Sequence, residues 1–143
     1  MRDPLCRIVA WSAGTAAVLV LLGFAVIFGL SEWRMRRAFE APLVPLHAAR
    51  PADPVAGEHW ARLVGCLSGC HGDEGEGGRE HIEGIVTHTA PTLSDVLPSY
   101  SDAELARLIR YGVKRDGRSA IGMTSYTFWP LGDREIADIV ARL

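Results

Sequence analysis

The sequence has few sulfur-containing residues. It contains only three cysteines and three methionines. No nucleophile motif of the Gly-x-Ser-x-Gly type occurs, and we predict that the chain is not an enzyme. Its 15 basic and 17 acidic residues give a net charge of −2, which does not indicate binding to nucleic acid. No internal repeat and no convincing strand pattern is evident. The sulfur-bearing residues can therefore be considered one by one.

Charge is absent from residues 8–31, a run of 24 residues. As a helix this run is roughly 36 Å long, enough to cross a hydrocarbon core of about 30 Å. Trp11 and Trp33 flank it, as is typical of membrane interfaces. The alternative, a cleaved signal peptide, has an apolar region of only about 7–15 residues and then a small-residue cleavage site, whereas charged residues follow here. We predict a transmembrane anchor helix at 8–31 after a cytoplasmic N-terminus at 1–7.

Prolines are concentrated after the anchor, with four of them between residues 42 and 54. This density excludes a continuous helix and indicates a semi-extended linker. We predict a proline-rich linker at 32–53 and a soluble domain at 54–143. A domain of about 90 residues has a marginal hydrophobic core, and a buried cofactor would supply an apolar centre.

Three helices are predicted in the soluble domain. Asp53 is placed to cap the first, which we expect to run into the cysteines. Ser101 and Glu104 have the spacing of a capping box at the start of the second, which Gly112 ends. The third spans residues 133–143, where apolar residues recur at 3- and 4-residue spacing.

The segment between the first two helices, residues 72–100, contains glycine and proline without sustained periodicity. We predict that it is a loop. A loop of this length is unusual in a compact domain unless it has a function, and one that wraps a cofactor would explain it. The predicted fold class is therefore all-α.

Two cysteines and a histidine stand together in Cys66-Leu67-Ser68-Gly69-Cys70-His71. Cys-x-x-Cys-His is the attachment signature of c-type haem, in which the histidine ligates the iron. Here three residues separate the cysteines instead of two. Positions i and i+4 share a helix face, as i and i+3 do, so we expect Cys66 and Cys70 to point the same way, with a local bulge. Gly65 and Gly69 would relax the backbone there.

Met123 is the predicted sixth ligand of the iron. Methionine and histidine are the usual choices, and Met1 and Met35 lie at the ends of the anchor, so Met123 is the only methionine in the soluble domain. Its alternative role is that of a flexible residue filling a gap in the core. The competing ligands are His59, His81 and His88.

In the segments 102–113, 116–119, 122–123 and 131–140, the chain resembles the C-terminal half of small class I c-type cytochromes. The resemblance extends over residues 55–143 and implies an all-α cytochrome c fold around one covalently attached haem c. It implies that His71 and Met123 are the axial ligands and that the Pro91 carbonyl holds the other ring nitrogen of His71. Gly132 departs from the family, in which a serine-like cap is usual.

The resemblance implies a membrane-anchored monohaem cytochrome that carries single electrons on the periplasmic side of a bacterial inner membrane. Its partners would be redox proteins, and we predict that it is a subunit of a larger membrane complex, with a tethered mobile shuttle as the alternative. Arg34, Arg36 and Arg37 after the span favour a cytoplasmic domain by the positive-inside rule. We give more weight to the haem motif, because long domains translocate largely regardless of charge.

Two other uses of the cysteines remain open from the sequence. One is a disulfide between Cys66 and Cys70. The other is a structural zinc module with two cysteine and two histidine ligands, which would leave His71 and Met123 unexplained. The zinc ligands would be Cys66, Cys70, His81 and His88.

Overall fold

The computed structural model describes residues 3–43 and 51–143, and part of the predicted linker, 44–50, lies outside these described residues. The chain divides into two units, Met1–Arg37 and Ala38–Leu143. Of the described residues, 59% lie in helices or helical turns and 10% in strands or isolated bridges. The chain is therefore mainly helical with one long apolar helix near its N-terminus, as predicted, and it also contains a small two-stranded sheet that was not predicted.

The first unit is one long helix, α1, at Pro4–Arg36. It contains the whole predicted span 8–31 and continues into the first residues that we assigned to the linker. No side chain of α1 is buried, and the helix is long and apolar enough to cross a membrane. It ends where Arg37 adopts extended backbone angles, with its guanidinium 5.3 Å from the ring centre of Trp33.

The second unit is built from short elements. In chain order, its described residues form α2 (Pro54–Leu63), a π turn (Cys66–Cys70), strands β1 (Gly78–Ile82) and β2 (Val86–Ala90), helix α3 (Leu93–Val96), a first 3-10 turn (Leu97–Ser99), α4 (Asp102–Tyr111), a second 3-10 turn (Ser125–Phe128) and α5 (Asp133–Arg142).

The predicted helix caps are confirmed. The Asp53 side chain accepts hydrogen bonds from the first backbone N–H groups of α2. The Ser101–Glu104 capping box is complete at the start of α4, and Gly112 ends that helix with a φ of 65°. These signals depend only on residues three or four apart, so sequence alone places them correctly.

Helices α2 and α5 pack closely because Gly57 has no side chain. A Cβ at Gly57 would lie 1.9 Å from the backbone oxygen of Asp138. The Asp138 side chain is buried, accepts a hydrogen bond of 2.7 Å from the Asp53 N–H, and lies 3.5 Å from the Arg134 guanidinium. Buried Ile136 and Ile139 on α5 complete this contact in the core.

The strands β1 and β2 lie inside the segment predicted as loop. They form an antiparallel hairpin in which Glu80 lies opposite His88. Gly84 has a φ of 72° in the turn between the strands, a conformation that glycine adopts at no steric cost. The hairpin contacts the π turn, where a Cβ on Gly78 would lie 2.9 Å from the carbonyl oxygen of Cys70. It therefore braces the cysteine motif.

Candidate functional site

The cysteine motif forms a π turn that follows a break in the helix. We expected α2 to run into the cysteines, but it ends at Leu63, and Gly65 has a φ of 85°. Residues Cys66–Cys70 then form one turn of π-helix in which Gly69 leaves the helical region. A π turn holds one residue more per hydrogen-bonded turn than an α turn and often occurs at functional sites. The third residue between the cysteines is accommodated in this way.

The two cysteines of the motif have different environments. Cys66 is buried, Cys70 is exposed, and both are free thiols. We expected both cysteines to point the same way from one helix face, and the structure does not show this arrangement. It does not show a disulfide between them either. Burial, followed by the effect of nearby Cys70, raises the pKa of the Cys66 thiol from 9.0 to about 11.

Arg62, on α2, bonds to the backbone of the cysteine motif and of the residues that follow it. Its guanidinium donates hydrogen bonds of 3.3 Å to the carbonyl oxygens of Leu67 and Asp73. Glu58 orients this guanidinium from the same helix, and also pairs with Arg142 of α5. Hydrogen bonds from Arg142 and then from Arg62 lower the pKa of the Glu58 carboxyl. The motif is therefore tied through α2 to the C-terminal helix.

The imidazole of His71 is held by a backbone carbonyl. Its Nδ1–H donates a hydrogen bond of 3.0 Å to the Pro91 oxygen, which is the contact that the resemblance implied. Since a carbonyl only accepts, this bond fixes the tautomer and leaves Nε2 as the ring nitrogen available to a metal. His71 is half-buried, so the ring is oriented but still accessible.

Backbone hydrogen bonds bring Pro91 to His71. The Gly77 N–H donates to the His71 carbonyl at 2.8 Å, and the Leu93 N–H donates to the Gly75 carbonyl at the same distance. Thr92 adds a side-chain bond of 3.0 Å to the Glu76 carbonyl. The residues on either side of the hairpin are thereby joined to each other, and this junction sets the position of the Pro91 oxygen.

Met123 lies between α4 and α5 in the sequence, outside any helix, and is half-buried. It packs against the same hydrophobic cluster that contains buried Cys66 and Leu67. The structure therefore brings Met123 and the cysteine motif to one core. Other partly buried apolar side chains pack on this cluster, among them Trp60, Leu93, Leu97, Tyr100 and Leu131.

The chain was compared with known protein families, curated proteins and solved structures. No match was found. Its function must therefore be inferred from its own residues.

These residues fit a covalently bound haem. Two thiols for the vinyl groups, an imidazole with one ring nitrogen fixed, and a thioether are the donors that c-type haem uses. Of these donors, Cys66 belongs to the hydrophobic cluster and Met123 packs against it. A zinc centre fits less well. Within residues 3–43 and 51–143 no three His, Cys, Asp or Glu side chains come together as a metal cluster.

The sequence did not reveal the tertiary contacts that two residues of the site, Arg62 and His88, make. The i,i+4 spacing of Glu58 and Arg62 indicates a helical ion pair, but not that Arg62 reaches past the helix to two carbonyls. His88 was predicted only as a competing ligand. Its ring packs on Gly122, directly before Met123, a contact between residues 34 positions apart that no local pattern reveals.

Alkylation of the haem-free full-length chain should distinguish the two cysteines. At pH 8 we expect Cys66 to react about a hundredfold more slowly than a thiol of pKa 9.0, because only the thiolate attacks. Exposed Cys70 should react first. Mass spectrometry of the alkylated peptides measures both rates. Equal rates in the folded chain would contradict the burial of Cys66.

The same pKa shift predicts how stability changes with pH. The folded chain retains the Cys66 proton between pH 9 and 11, where the unfolded chain loses it. The stabilisation from the buried neutral thiol is therefore complete below pH 9 and is lost as the pH rises through 11. In urea unfolding of haem-free protein, Cys66→Ala should reduce this loss, and Cys6→Ala should not.

Proposed function

We propose that this chain is a membrane-anchored monohaem c-type cytochrome that carries single electrons. The observation that supports this best is the 3.0 Å hydrogen bond from His71 to the Pro91 carbonyl, immediately after the cysteine pair. A ligating histidine usually donates its other ring N–H to such an acceptor. When bound, the haem would supply an iron that changes between the ferrous and ferric states.

In this proposal each residue has a defined task. Cys66 and Cys70 would hold the porphyrin covalently, and His71 and Met123 would ligate the iron. With both ligands bound, no site is open for substrate, which suits electron transfer rather than catalysis. Arg62 and the π turn hold the attachment segment in place.

The membrane helix and the haem motif together suggest the location. Helix α1 would anchor the chain in a bacterial inner membrane, with the domain on the periplasmic side, where haem is joined to cysteine. We propose that the protein is a subunit of a larger electron-transfer complex. The alternative is a tethered shuttle, and purification in mild detergent separates the two. Co-purifying redox subunits support the first, and migration alone supports the second.

Haem staining of a denaturing gel tests the central proposal. Full-length protein, produced with a periplasmic haem-attachment system, should stain, and the Cys66→Ser/Cys70→Ser double variant should lose the stain. Cys6→Ser is the matched control and should stain fully, because Cys6 lies in α1. A wild-type chain that never stains, or that purifies with zinc instead, overturns the proposal.

The pyridine haemochrome spectrum then resolves the role of Cys66. Its α-band position depends on how many porphyrin vinyl groups have been saturated by cysteine. We expect the wild type to match two thioethers, because the π turn accommodates the extra residue. Cys66→Ser should match one. If the wild type already matches one, Cys66 is not attached, although the haem itself remains.

A further inference from the structure

His88 lies on the side of the hairpin that faces the domain. Alternate residues of a strand point to opposite faces, and on β2 the side chains of Thr87 and Thr89 are exposed, whereas Ala90 is buried and His88 half-buried. His81, opposite Thr87 on β1, belongs to the exposed face and bonds to the Thr87 hydroxyl at 2.8 Å. The hairpin thus directs one histidine inward and the other outward.

The imidazole of His88 packs directly on the backbone before Met123. A Cβ placed on Gly122 would lie 2.2 Å from Cε1 and 2.5 Å from Nδ1 of this ring. Gly122 also has a φ of 97°, which favours glycine. Position 122 therefore accepts no larger residue while His88 occupies this place. The His88 ring therefore contacts the residue directly before the proposed thioether ligand, Met123.

Neither ring nitrogen of His88 has a hydrogen-bond partner among the described residues. The two other histidines of this region differ, since His71 bonds to Pro91 and His81 bonds to Thr87. An imidazole with both nitrogens uncommitted retains its full capacity as a metal ligand. Imidazole and thioether are both axial ligands of haem iron.

We propose that His88 is a second ligand for the sixth coordination position, which binds the iron when the Met123 sulfur leaves it. This inference rests on the proposed haem function. Met123 is the ligand of the resting protein, and His88 replaces it after the thioether is removed by substitution, or after a hydroperoxide transfers one oxygen atom to the sulfur, giving a polar sulfoxide and leaving as water or an alcohol. The site would thereby keep a six-coordinate iron at a lower potential, since methionine raises the potential relative to histidine.

Removing Met123 in the full-length haem protein tests this proposal. We expect Met123→Ala to keep a low-spin six-coordinate spectrum without the far-red sulfur–iron band. Met123→Ala/His88→Ala should become high-spin. The matched control, Met123→Ala/His81→Ala, removes the outward histidine of the same hairpin and should stay low-spin. Optical and electron paramagnetic resonance spectra report the spin state independently of electron-transfer activity.

Imidazole binding gives a second measurement. The His88 double variant should regain a low-spin spectrum with added imidazole, which also shows that its haem site is intact. Met123→Ala should bind imidazole at least about tenfold more weakly than this double variant does, because the tethered His88 competes with the added imidazole for the iron. If the alanine double variant does not fold, Met123→Ala/His88→Gln retains a side chain of similar size that is a poor iron ligand.

Three outcomes overturn the proposal: a high-spin Met123→Ala single variant, a low-spin His88 double variant, or a high-spin His81 control. Each of these results counts only when the variant protein stains for covalent haem. Failure of the underlying function is a separate result, since no variant and no wild-type chain would then stain.

Discussion

Gly57→Ala is expected to destabilise the soluble domain strongly, because the added methyl group has no space between two helices. The new Cβ would meet the Asp138 carbonyl oxygen at 1.9 Å, its carbonyl carbon at 2.4 Å and the Arg142 Cβ at 3.0 Å. Two of these are backbone atoms, which cannot rotate away, so α2 and α5 must separate. We expect a loss of about 3 kcal/mol, the upper range for overpacking, or a fall in Tm on the order of 10–20 °C.

The separation of α2 and α5 would also disturb the cysteine motif. Glu58 joins Arg142 on α5 to Arg62 on α2, and Arg62 holds the carbonyl oxygens of Leu67 and Asp73. Gly57→Ala should therefore lower the yield of haem-stained protein as well as the Tm.

Gly132→Ala is the matched control for this substitution. Gly132 has a φ of −73°, which alanine adopts freely, and its nearest neighbour is the flexible end of the Glu135 side chain at 2.7 Å. Because Gly132 is the N-cap of α5 and alanine is a poorer N-cap than glycine, its effect should be at most about 1 kcal/mol, well below that of Gly57→Ala. Thermal unfolding followed by circular dichroism measures both variants. Equal Tm values for Gly57→Ala and the wild type would contradict the close contact of the two helices.

The elements that sequence reasoning predicted correctly are those specified locally. The caps at Asp53 and Ser101 and the glycine at the end of α4 depend on backbone groups within one helical turn. The apolar run of α1 needs no tertiary contact to be recognised. In each case the physical cause lies within a few residues of its effect, so the chain alone contains the information.

The hairpin was missed because its strands do not show an apolar alternation. Arg79, Glu80 and His81 of β1 are all exposed, so no buried face is visible in the sequence. Gly84 between apolar Ile82 and Val86 is a recognisable three-residue turn signal, but two strands are marginally stable alone. Their order comes from contacts with the π turn and with Gly122, which only the folded chain contains.

The proposed ligand residues were predicted from the sequence and stay predictions, and most of the contacts that hold them were not predicted. Cys66, Cys70 and His71 are adjacent, and Met123 followed by elimination. The hydrogen bond to the Pro91 carbonyl was implied by resemblance alone and is present. By contrast, the hydrogen bond from Arg62 to the Asp73 carbonyl and the packing of His88 on Gly122 are tertiary contacts, which depend on the folded positions of both partners.

Met123→His is expected to lower the reduction potential of the haem protein by on the order of 0.1–0.3 V. Thioether sulfur favours ferrous iron relative to imidazole, so replacing it with a second imidazole stabilises the ferric state. The far-red sulfur–iron band should disappear while the spectrum stays low-spin. Met123 is half-buried against the hydrophobic cluster, and histidine is similar enough in length to reach the same place from this loop.

Met35→Leu is the control, because it removes a methionine that lies in α1. It should leave the potential and the far-red band unchanged. Spectroelectrochemical titration of the three full-length proteins measures the potential and the spectrum together. If the far-red band persists in Met123→His, the sulfur ligand is not Met123. If the band is missing from the wild type as well, the resting protein already uses another ligand, and His88, which packs on Gly122 directly before Met123, becomes the first residue to substitute.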